Sequence, residues 1–180
     1  GETLYLEHTQ LTTTTILDSC VLDGEGEFKL HAPSPEHPDF YRLRIGKRSL
    51  PLSVDSIEEI IVVSTRDSLP YTLSIQGSEA SLIMAQLRAT ARTATREELR
   101  KQAQEVIVSN PRSLAAYYAV FLKQGGEYIW NILDPADRRM YQAVATSFQT
   151  WMPNYERTKV LCNQVKDVLQ AERNIKNQQA

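Results

Sequence analysis

The sequence predicts an α+β protein, in which an antiparallel β-sandwich of about seven strands is followed by a helical segment of four or five helices. Up to Gly77, apolar and polar side chains alternate in short runs, which is typical of strands with one buried and one solvated face. After Gly77 the apolar spacing becomes helical. We therefore expect a sandwich domain at residues 2–77, a helical segment at 78–172 packing on or beside it, and a polar linker or tail at 173–180.

The stretch at residues 17–30 predicts a β-hairpin. Two apolar-patterned runs meet at Asp23-Gly24-Glu25-Gly26, and glycine adopts the positive φ that tight hairpin turns require, which we expect at Gly24. The other predicted strands are also short and regularly spaced, as in a β-sandwich. The seven predicted strands are residues 3–9, 16–22, 27–31, 40–45, 49–54, 57–63 and 71–75.

Two of these strands are expected at particular places in the sheets. The strand at 49–54 contains Pro51, which has no N–H to donate to a neighbour and therefore suits an edge. The strand at 57–63 is rich in Ile and Val on both faces, which predicts a central strand that is buried on both sides.

Capping signals divide the helical segment. Ser78 is a good N-cap for the first helix. The long helical signal at 82–108 is interrupted by Thr93-Ala94-Thr95, and Thr95 with Glu98 fits a capping box for a restart. Later helix starts are indicated by Asn110-Pro111, by Asp134-Pro135 and by the run from about Tyr155.

Composition narrows the classes of function. The chain of 180 residues has a formal charge of −2, which gives no general attraction to nucleic acid or anionic lipid, so no nucleic-acid partner is expected. No apolar run approaches the roughly 18 residues of a membrane span. The start, Gly1-Glu2-Thr3, is typical of a tag remnant before a mature sequence, and we expect that an export segment has been removed.

No arrangement of side chains predicts a catalytic, cofactor or metal site. The acidic residues around the predicted turn lack the spacing of a calcium loop, and the three histidines lack ligand spacing. Cys20 and Cys162 are far apart with no C-x-x-C, which predicts two free, mostly buried thiols. Motifs for an activated nucleophile or a phosphate loop are missing as well. We therefore expect a chain that is not an enzyme and needs no cofactor.

A candidate binding surface comes from arginine and aromatic residues. Arginines recur every four residues at positions 88, 92, 96 and 100, which would form a basic stripe for a polyanion or, more simply, a solvated helix face with ion pairs. The helical half is rich in aromatic residues, which could line a ligand groove or form core, and the Gly125-Gly126 pair could edge a pocket. The candidate surface consists of Phe40, Tyr128, Trp130, Arg88 and Arg92.

A series of short motifs, in order along the chain, carries a family resemblance. They are Asp18-Ser19, Asp23-Gly24, Glu27-Phe28, Phe40-Tyr41-Arg42-Leu43, Ile75-Gln76-Gly77-Ser78 and Asn110-Pro111-Arg112-Ser113. In this order the chain resembles a domain of unknown function that precedes thioredoxin-like (peroxiredoxin/TlpA-type) domains in bacterial cell-envelope lipoproteins. The resemblance covers nearly the whole chain. The turn after Asp23 is longer by two residues than the family pattern.

The resemblance implies a covalently linked thioredoxin-like domain in the parent chain, beginning after Ala171. The C-x-x-C pair of that domain occurs nowhere in these residues, so no catalytic residue is carried over. It also implies a location in the periplasm or at the outer membrane, with membrane attachment only through a removed N-terminal lipid anchor. The expected function is a non-catalytic accessory module that positions the redox domain or its partners. The alternatives are a stand-alone surface module that binds glycan or protein, and an enzyme in its own right.

Overall fold

The structure, a computed structural model, describes residues 1–71 and 74–180. It contains both strands and helices, so the predicted α+β class is confirmed. The strands are β1 (Thr3–Thr9), β2 (Thr14–Val21), β3 (Asp39–Ile45), β4 (Arg48–Val54), β5 (Ile61–Val63), β6 (Ser74–Gln76), β7 (Lys123–Gln124) and β8 (Glu127–Tyr128). The helices are α1 (Glu79–Thr93), α2 (Arg96–Ser109), α3 (Leu114–Val120), α4 (Pro135–Trp151) and α5 (Glu156–Gln179), with a 3-10 turn at Leu69–Tyr71.

The chain divides into two compact units, Gly1–Thr93 and Ala94–Ala180. The first unit holds β1 to β6 and α1, and the second holds α2 to α5 with the short β7–β8 pair. Helix α1 follows the predicted boundary at 77/78, and it packs against β4 and β6 of the first unit. The residues predicted as a polar tail continue α5, which extends to Gln179, and all of them are exposed.

The first unit is built on a four-stranded antiparallel sheet with the order β2-β1-β3-β4. Leu4 of β1 pairs with Ile45 of β3, and Leu6 pairs with Leu43, so these side chains share one face of the sheet. That face forms a core with Leu50, Leu52, Leu69 and Ile75, among others. Burial of this face is the main stabilising contribution, since each buried aliphatic side chain contributes about 1.5–3 kcal/mol.

The predicted seven-stranded sandwich is not what the described residues form. In the first unit the four-stranded sheet is accompanied by the separate pair β5–β6, and the pair β7–β8 belongs to the second unit. Residues 27–31 form no strand, and the predicted strand at 57–63 is confined to Ile61–Val63. The predicted strand at 71–75 includes residues 72 and 73, which lie outside the described residues. Alternating apolar and polar side chains predict a strand with one buried face. They do not specify which other strand it forms hydrogen bonds with.

The turn after β2 is closed by a side chain rather than by a hairpin ladder. The Asp23 carboxylate accepts hydrogen bonds from the N–H groups of Glu25, at 2.9 Å, and Gly26, at 2.8 Å. Positive φ occurs at Gly26 (74°), so the expectation of positive φ at Gly24 is wrong. Further on, the His31 N–H donates to the Asp18 carboxylate at 2.7 Å, so a side-chain contact tethers the returning chain beside β2.

Serine hydroxyls cover the outer edge of β4. The Ser53 N–H donates to Ser81 Oγ at 2.8 Å, and the Ser53 carbonyl accepts from Ser78 Oγ at 2.9 Å. Ser78 Oγ also accepts from the Ser81 N–H at 3.3 Å, which confirms Ser78 as the cap of α1. The first turn of α1 therefore satisfies the edge-strand backbone at Ser53 that a further strand would otherwise pair with.

The second unit is helical, and local caps define where its helices begin. The capping box of Thr95 and Glu98 is confirmed at α2, and Asp134 with Pro135 opens α4 as predicted. Helix α3 begins later than Asn110-Pro111 indicated, because Ser113 is the residue whose hydroxyl accepts from the Ala115 N–H, at 3.1 Å. The core of this unit includes Leu99, Ile107, Val120, Phe148 and Leu161, all fully buried. Within the residues described, no helix is both long enough and apolar enough to span a membrane.

Candidate functional site

The five residues of the expected binding surface differ in burial and are divided between the two units. Phe40 and Trp130 are buried, at 8% and 4% exposure, so neither offers an open aromatic face. Tyr128 is half exposed. Arg88 and Arg92 lie on α1 in the first unit, whereas Tyr128 and Trp130 belong to the second unit. The Arg92 guanidinium stacks over the ring of Tyr71, 3.9 Å from its centroid.

The arginine stripe is interrupted as the capping box indicated, because α1 ends at Thr93 and α2 begins at Arg96. On α2, Arg96 donates to the Tyr128 carbonyl at 3.0 Å, and Arg100 donates to the Ile129 carbonyl at 3.2 Å. These two arginines therefore anchor the backbone of residues 128–129 within the second unit.

The glycine pair that could have edged a pocket forms a tight hairpin turn. Gly125 and Gly126 have φ of 61° and 82°, as the two central residues of a type I′ turn require, and they join β7 to β8. Gln124 Nε2 donates to the Ala94 carbonyl at 3.0 Å, and Lys123 Nζ lies 4.7 Å from the centroid of the Tyr128 ring. The hairpin is therefore fixed at its base, with the Tyr128 ring at its surface.

Trp130 is part of a buried network around α4. Its Nε1 donates to the Ala119 carbonyl at 3.2 Å, and Tyr141 Oη donates to the Trp130 carbonyl at 2.8 Å. Burial, followed by the nearby Tyr128 and Asp137, raises the pKa of Tyr141 to about 12. Arg100 stacks on the indole, with its guanidinium carbon 4.6 Å from the ring centroid, and also contacts Asp137 through both terminal nitrogens.

Asp137 is the charged centre of this network. It is 6% exposed, and its carboxylate accepts from Arg100 and from the Asn131 N–H, the latter at 2.9 Å. Because a buried carboxylate is costly unless it is paired and hydrogen-bonded, these contacts fix the loop before α4 against α2. The network is consistent with structural support of the second unit.

A second ion cluster lies on the sheet of the first unit, on the face opposite the core. Glu7 is 4% exposed, and its Oε1 accepts from Arg42 Nε at 3.0 Å and from Arg44 Nε at 2.7 Å. Burial raises the pKa of Glu7, but hydrogen bonds and positive charge from Arg44 and Arg42 outweigh it, so the net shift is downward from 4.5. Arg44 also stacks on Tyr5, 4.5 Å from the ring centroid.

One histidine–carboxylate pair stands at the end of the same sheet. His8 Nε2 lies 2.7 Å from Asp39 Oδ2, and the His8 ring is 4.9 Å from the Tyr41 ring, centroid to centroid. Burial, with the charge of Asp39 as a smaller cause, raises the pKa of Tyr41. Pairing of β1 with β3 places His8 directly opposite Tyr41, so the cluster follows from the sheet register.

Neither thiol is activated in its surroundings. Cys20 and Cys162 are free, as predicted, although both are partly exposed rather than fully buried. Burial, with the charge of Asp18 as a smaller cause, raises the pKa of the Cys20 thiol, and burial raises that of Cys162. A metal site of three or more His, Cys, Asp or Glu side chains is absent from the part of the chain that the structure describes.

The first unit has an exposed apolar patch that the sequence pattern did not predict. We name the β5 patch after the strand that carries most of it, and define it as Ile57, Ile61 and Val63. These side chains are 91%, 47% and 63% exposed, whereas Ile60 and Val62 pack on the core of the first unit. The expectation of a central strand buried on both faces is therefore wrong. The signal that could have identified an exposed face is Asp55, Glu58 and Glu59 in the same stretch.

Comparison with known proteins gives no relative for this chain: no protein-family model, no curated protein and no solved structure matches it.

Proposed function

We propose that the chain is a non-catalytic accessory or interaction module of a cell-envelope thiol-disulfide protein. In this role it positions a thioredoxin-like domain of its parent chain, or presents partners to it, in the periplasm or at the outer membrane. An N-terminal lipid anchor would be the only attachment to the membrane. The resemblance of the ordered motifs to the domain that precedes such redox domains implies the context.

One observation carries the proposal: residues of the motifs serve as turn, tether and capping residues. Asp18 accepts from the N–H groups of Ser19 and His31, and Asp23 closes the turn at Gly26. Ser78 caps α1, and Ser113 caps α3. Residues with such roles stabilise a scaffold and take no part in a reaction, which is what an accessory module requires.

Buried charges support the same role. Glu7 joins β1 to β3, Asp137 joins α4 to α2, and Arg138, which is 3% exposed, joins α4 to α5 through Glu172. Each pair links two elements of one unit. Ion pairs arranged in this way make each unit more rigid. Their charged groups pair with each other and do not converge on a shared reaction centre.

The proposal is tested by reading the coding sequence after Ala180 and by assaying residues 1–180 for reduction of insulin disulfides with dithiothreitol. We expect a C-x-x-C in the downstream sequence and no catalysed insulin reduction by the isolated chain. The matched control is the chain with Cys20→Ser and Cys162→Ser, which we expect to give the same uncatalysed rate. A coding sequence that stops at Ala180, or turnover that depends on either cysteine, would overturn the proposal.

A stand-alone binding module is the second candidate, favoured by the half-exposed ring of Tyr128 beside Lys123. An exposed aromatic ring with a neighbouring polar group is a common contact for sugar rings and for protein partners. A glycan array probed with the chain and with Tyr128→Ala tests this candidate. Leu133→Ala, at a position that is 67% exposed in the same unit, is the control. Glycan binding that Tyr128→Ala alone removes would favour this candidate.

A further inference from the structure

We propose that the β5 patch docks a polypeptide segment whose apolar side chains are flanked by lysine or arginine. This inference rests on the proposed interaction role and adds to it the surface and the chemistry of the partner. The patch comprises Ile57, Ile61 and Val63.

The side chains of the β5 patch are exposed. Ile61 and Val63 are two positions apart on β5, so they project from the same side of the strand, away from Val62, which packs on the core. Ile57, at 91% exposure, lies in the segment that leads into β5. Large aliphatic side chains are costly to leave in water, and exposed apolar surface of this kind marks interaction sites.

The charge beside the β5 patch specifies the partner. Asp55, Glu58 and Glu59 are close to the patch residues in the sequence, and all three are exposed. Residues 49–65 contain these three carboxylates and no lysine, arginine or histidine. The arginines at either end of this stretch, Arg48 and Arg66, pair with other carboxylates. The ion pairs found among the described residues do not include any of the three. An apolar surface with an uncompensated negative border complements a segment with an apolar centre and a positive border.

The β5 patch is held in place before any partner arrives. Val62 pairs with Ile75 of β6, which is 5% exposed in the core. A Cβ at Gly77 would lie 2.0 Å from the Glu59 carbonyl oxygen, so the end of β6 is in close backbone contact with the acidic segment. The Glu58 carboxylate also accepts from the Asp55 N–H and so folds the segment on itself. A preorganised surface loses less entropy on binding.

Other occupants fit less well. A second copy would bring the same three carboxylates and no cation from residues 49–65. An anionic lipid surface would be repelled by the same charge. A basic, apolar polypeptide satisfies both the apolar and the charged part of the surface.

The test uses two octapeptides labelled with fluorescein, one of alternating Lys and Val and the other of alternating Glu and Val. Binding of each peptide to the 180-residue chain is measured by fluorescence anisotropy. We expect binding of the Lys peptide, weakened as salt rises, and no binding of the Glu peptide. Ile57→Thr with Ile61→Thr should weaken the Lys peptide about tenfold. Glu58→Gln with Glu59→Gln should weaken it about threefold.

The matched control is Ile16→Thr with Val21→Thr, which alters two exposed β-branched residues on β2 of the same unit. We expect this control to bind the Lys peptide as the unchanged chain does, with an unchanged circular dichroism spectrum for every variant. Equal weakening by both Thr pairs, or no binding of the Lys peptide, would overturn the proposal. Self-association that only Ile57→Thr with Ile61→Thr abolishes would assign the patch to a second copy and overturn it too.

The two proposals fail separately. Cysteine-dependent turnover by the chain would overturn the accessory role and leave the peptide result standing. A Lys peptide that does not bind would overturn the docking surface, whereas a downstream C-x-x-C and an inactive isolated chain would still support the accessory role.

Discussion

Ser81 Oγ accepts the Ser53 N–H at 2.8 Å and donates to the Ser53 carbonyl at 3.2 Å, so one hydroxyl on α1 satisfies both backbone groups of a residue on the edge of the sheet. Both residues are fully buried. A buried backbone group without a partner costs about 1–3 kcal/mol, which makes this contact a main link between α1 and β4.

The first prediction concerns that link. Ser81→Ala removes the acceptor of the Ser53 N–H, and we expect the free energy of unfolding to fall by about 1–3 kcal/mol. Urea denaturation followed by circular dichroism measures the change. Ser56→Ala, at an exposed position of the same unit, should change stability by less than about 0.5 kcal/mol. Equal stability of Ser81→Ala and the unchanged chain would contradict this role.

The pKa of Glu7 leads to a prediction about acid stability. The folded-state pKa lies below the ordinary 4.5, so the carboxylate stabilises the fold at neutral pH, and this stabilisation is lost as pH falls from about 4.5 through the folded pKa. Glu7→Gln should therefore be less stable than the unchanged chain at pH 7, and the difference should shrink below pH 4.5. Urea midpoints at several pH values test it, with Glu27→Gln as the exposed control. A constant difference across this range would argue against the effect.

Two glycines in the turn after β2 differ in backbone conformation. Gly26 has positive φ and Gly24 does not, while a Cβ at either would meet no atom within 4 Å. Gly26→Val should therefore destabilise the fold by about 1–2 kcal/mol through backbone strain alone. Gly24→Val is the matched control and should be nearly neutral. Thermal unfolding of the two variants compares them, and the reverse order of stability would show that the turn has a different conformation.

Removal of Arg100 should lower the stability of the fold, because the buried Asp137 carboxylate needs a cationic partner. Because Arg100 is its cationic partner, Arg100→Ala leaves a negative charge that is 6% exposed, and we expect a loss of about 2–4 kcal/mol. Arg100→Lys should restore only part of it, since lysine cannot contact both carboxylate oxygens and the indole of Trp130 together. Calorimetry measures both variants, with exposed Arg139→Ala as the control. Full rescue by lysine would mean that charge alone matters.

The raised thiol pKa values predict slow alkylation. Because the thiolate is the reactive form, Cys20 and Cys162 should react with iodoacetamide at pH 7 more slowly than free cysteine. Their rates should rise steeply as the pH approaches and passes 9. Single variants Cys20→Ser and Cys162→Ser, followed by mass spectrometry, separate the two sites. A thiol that reacts as fast as free cysteine at pH 7 would contradict the burial argument.

Local chemistry was the part that could be predicted from the sequence. The Thr95 capping box and the Asp134-Pro135 start depend on residues within one turn of helix, so the pattern contains all the interacting groups. The shift of the α3 start from Asn110-Pro111 to Ser113 shows that two local caps can compete, since Asn110 instead ends α2.

Contacts between distant residues could not be predicted in this way. Glu7 and Arg42 are 35 residues apart, and their contact exists only because β1 pairs with β3 in one register. Phe40 is apolar and aromatic, and nothing local separates a buried ring from an exposed one. The β5 patch was assigned to the interior for the same reason: Ile and Val predict a strand, but only pairing and burial decide which face meets water.

The division of the chain has a spectroscopic consequence. Both tryptophans, Trp130 and Trp151, belong to Ala94–Ala180, whereas Gly1–Thr93 contains tyrosine and no tryptophan. Emission excited at 295 nm, where tyrosine hardly absorbs, therefore comes from the second unit alone. The chain thus carries a natural optical label on one half, and comparing its emission with the ellipticity of the whole chain assigns each unfolding transition to a unit without any added dye.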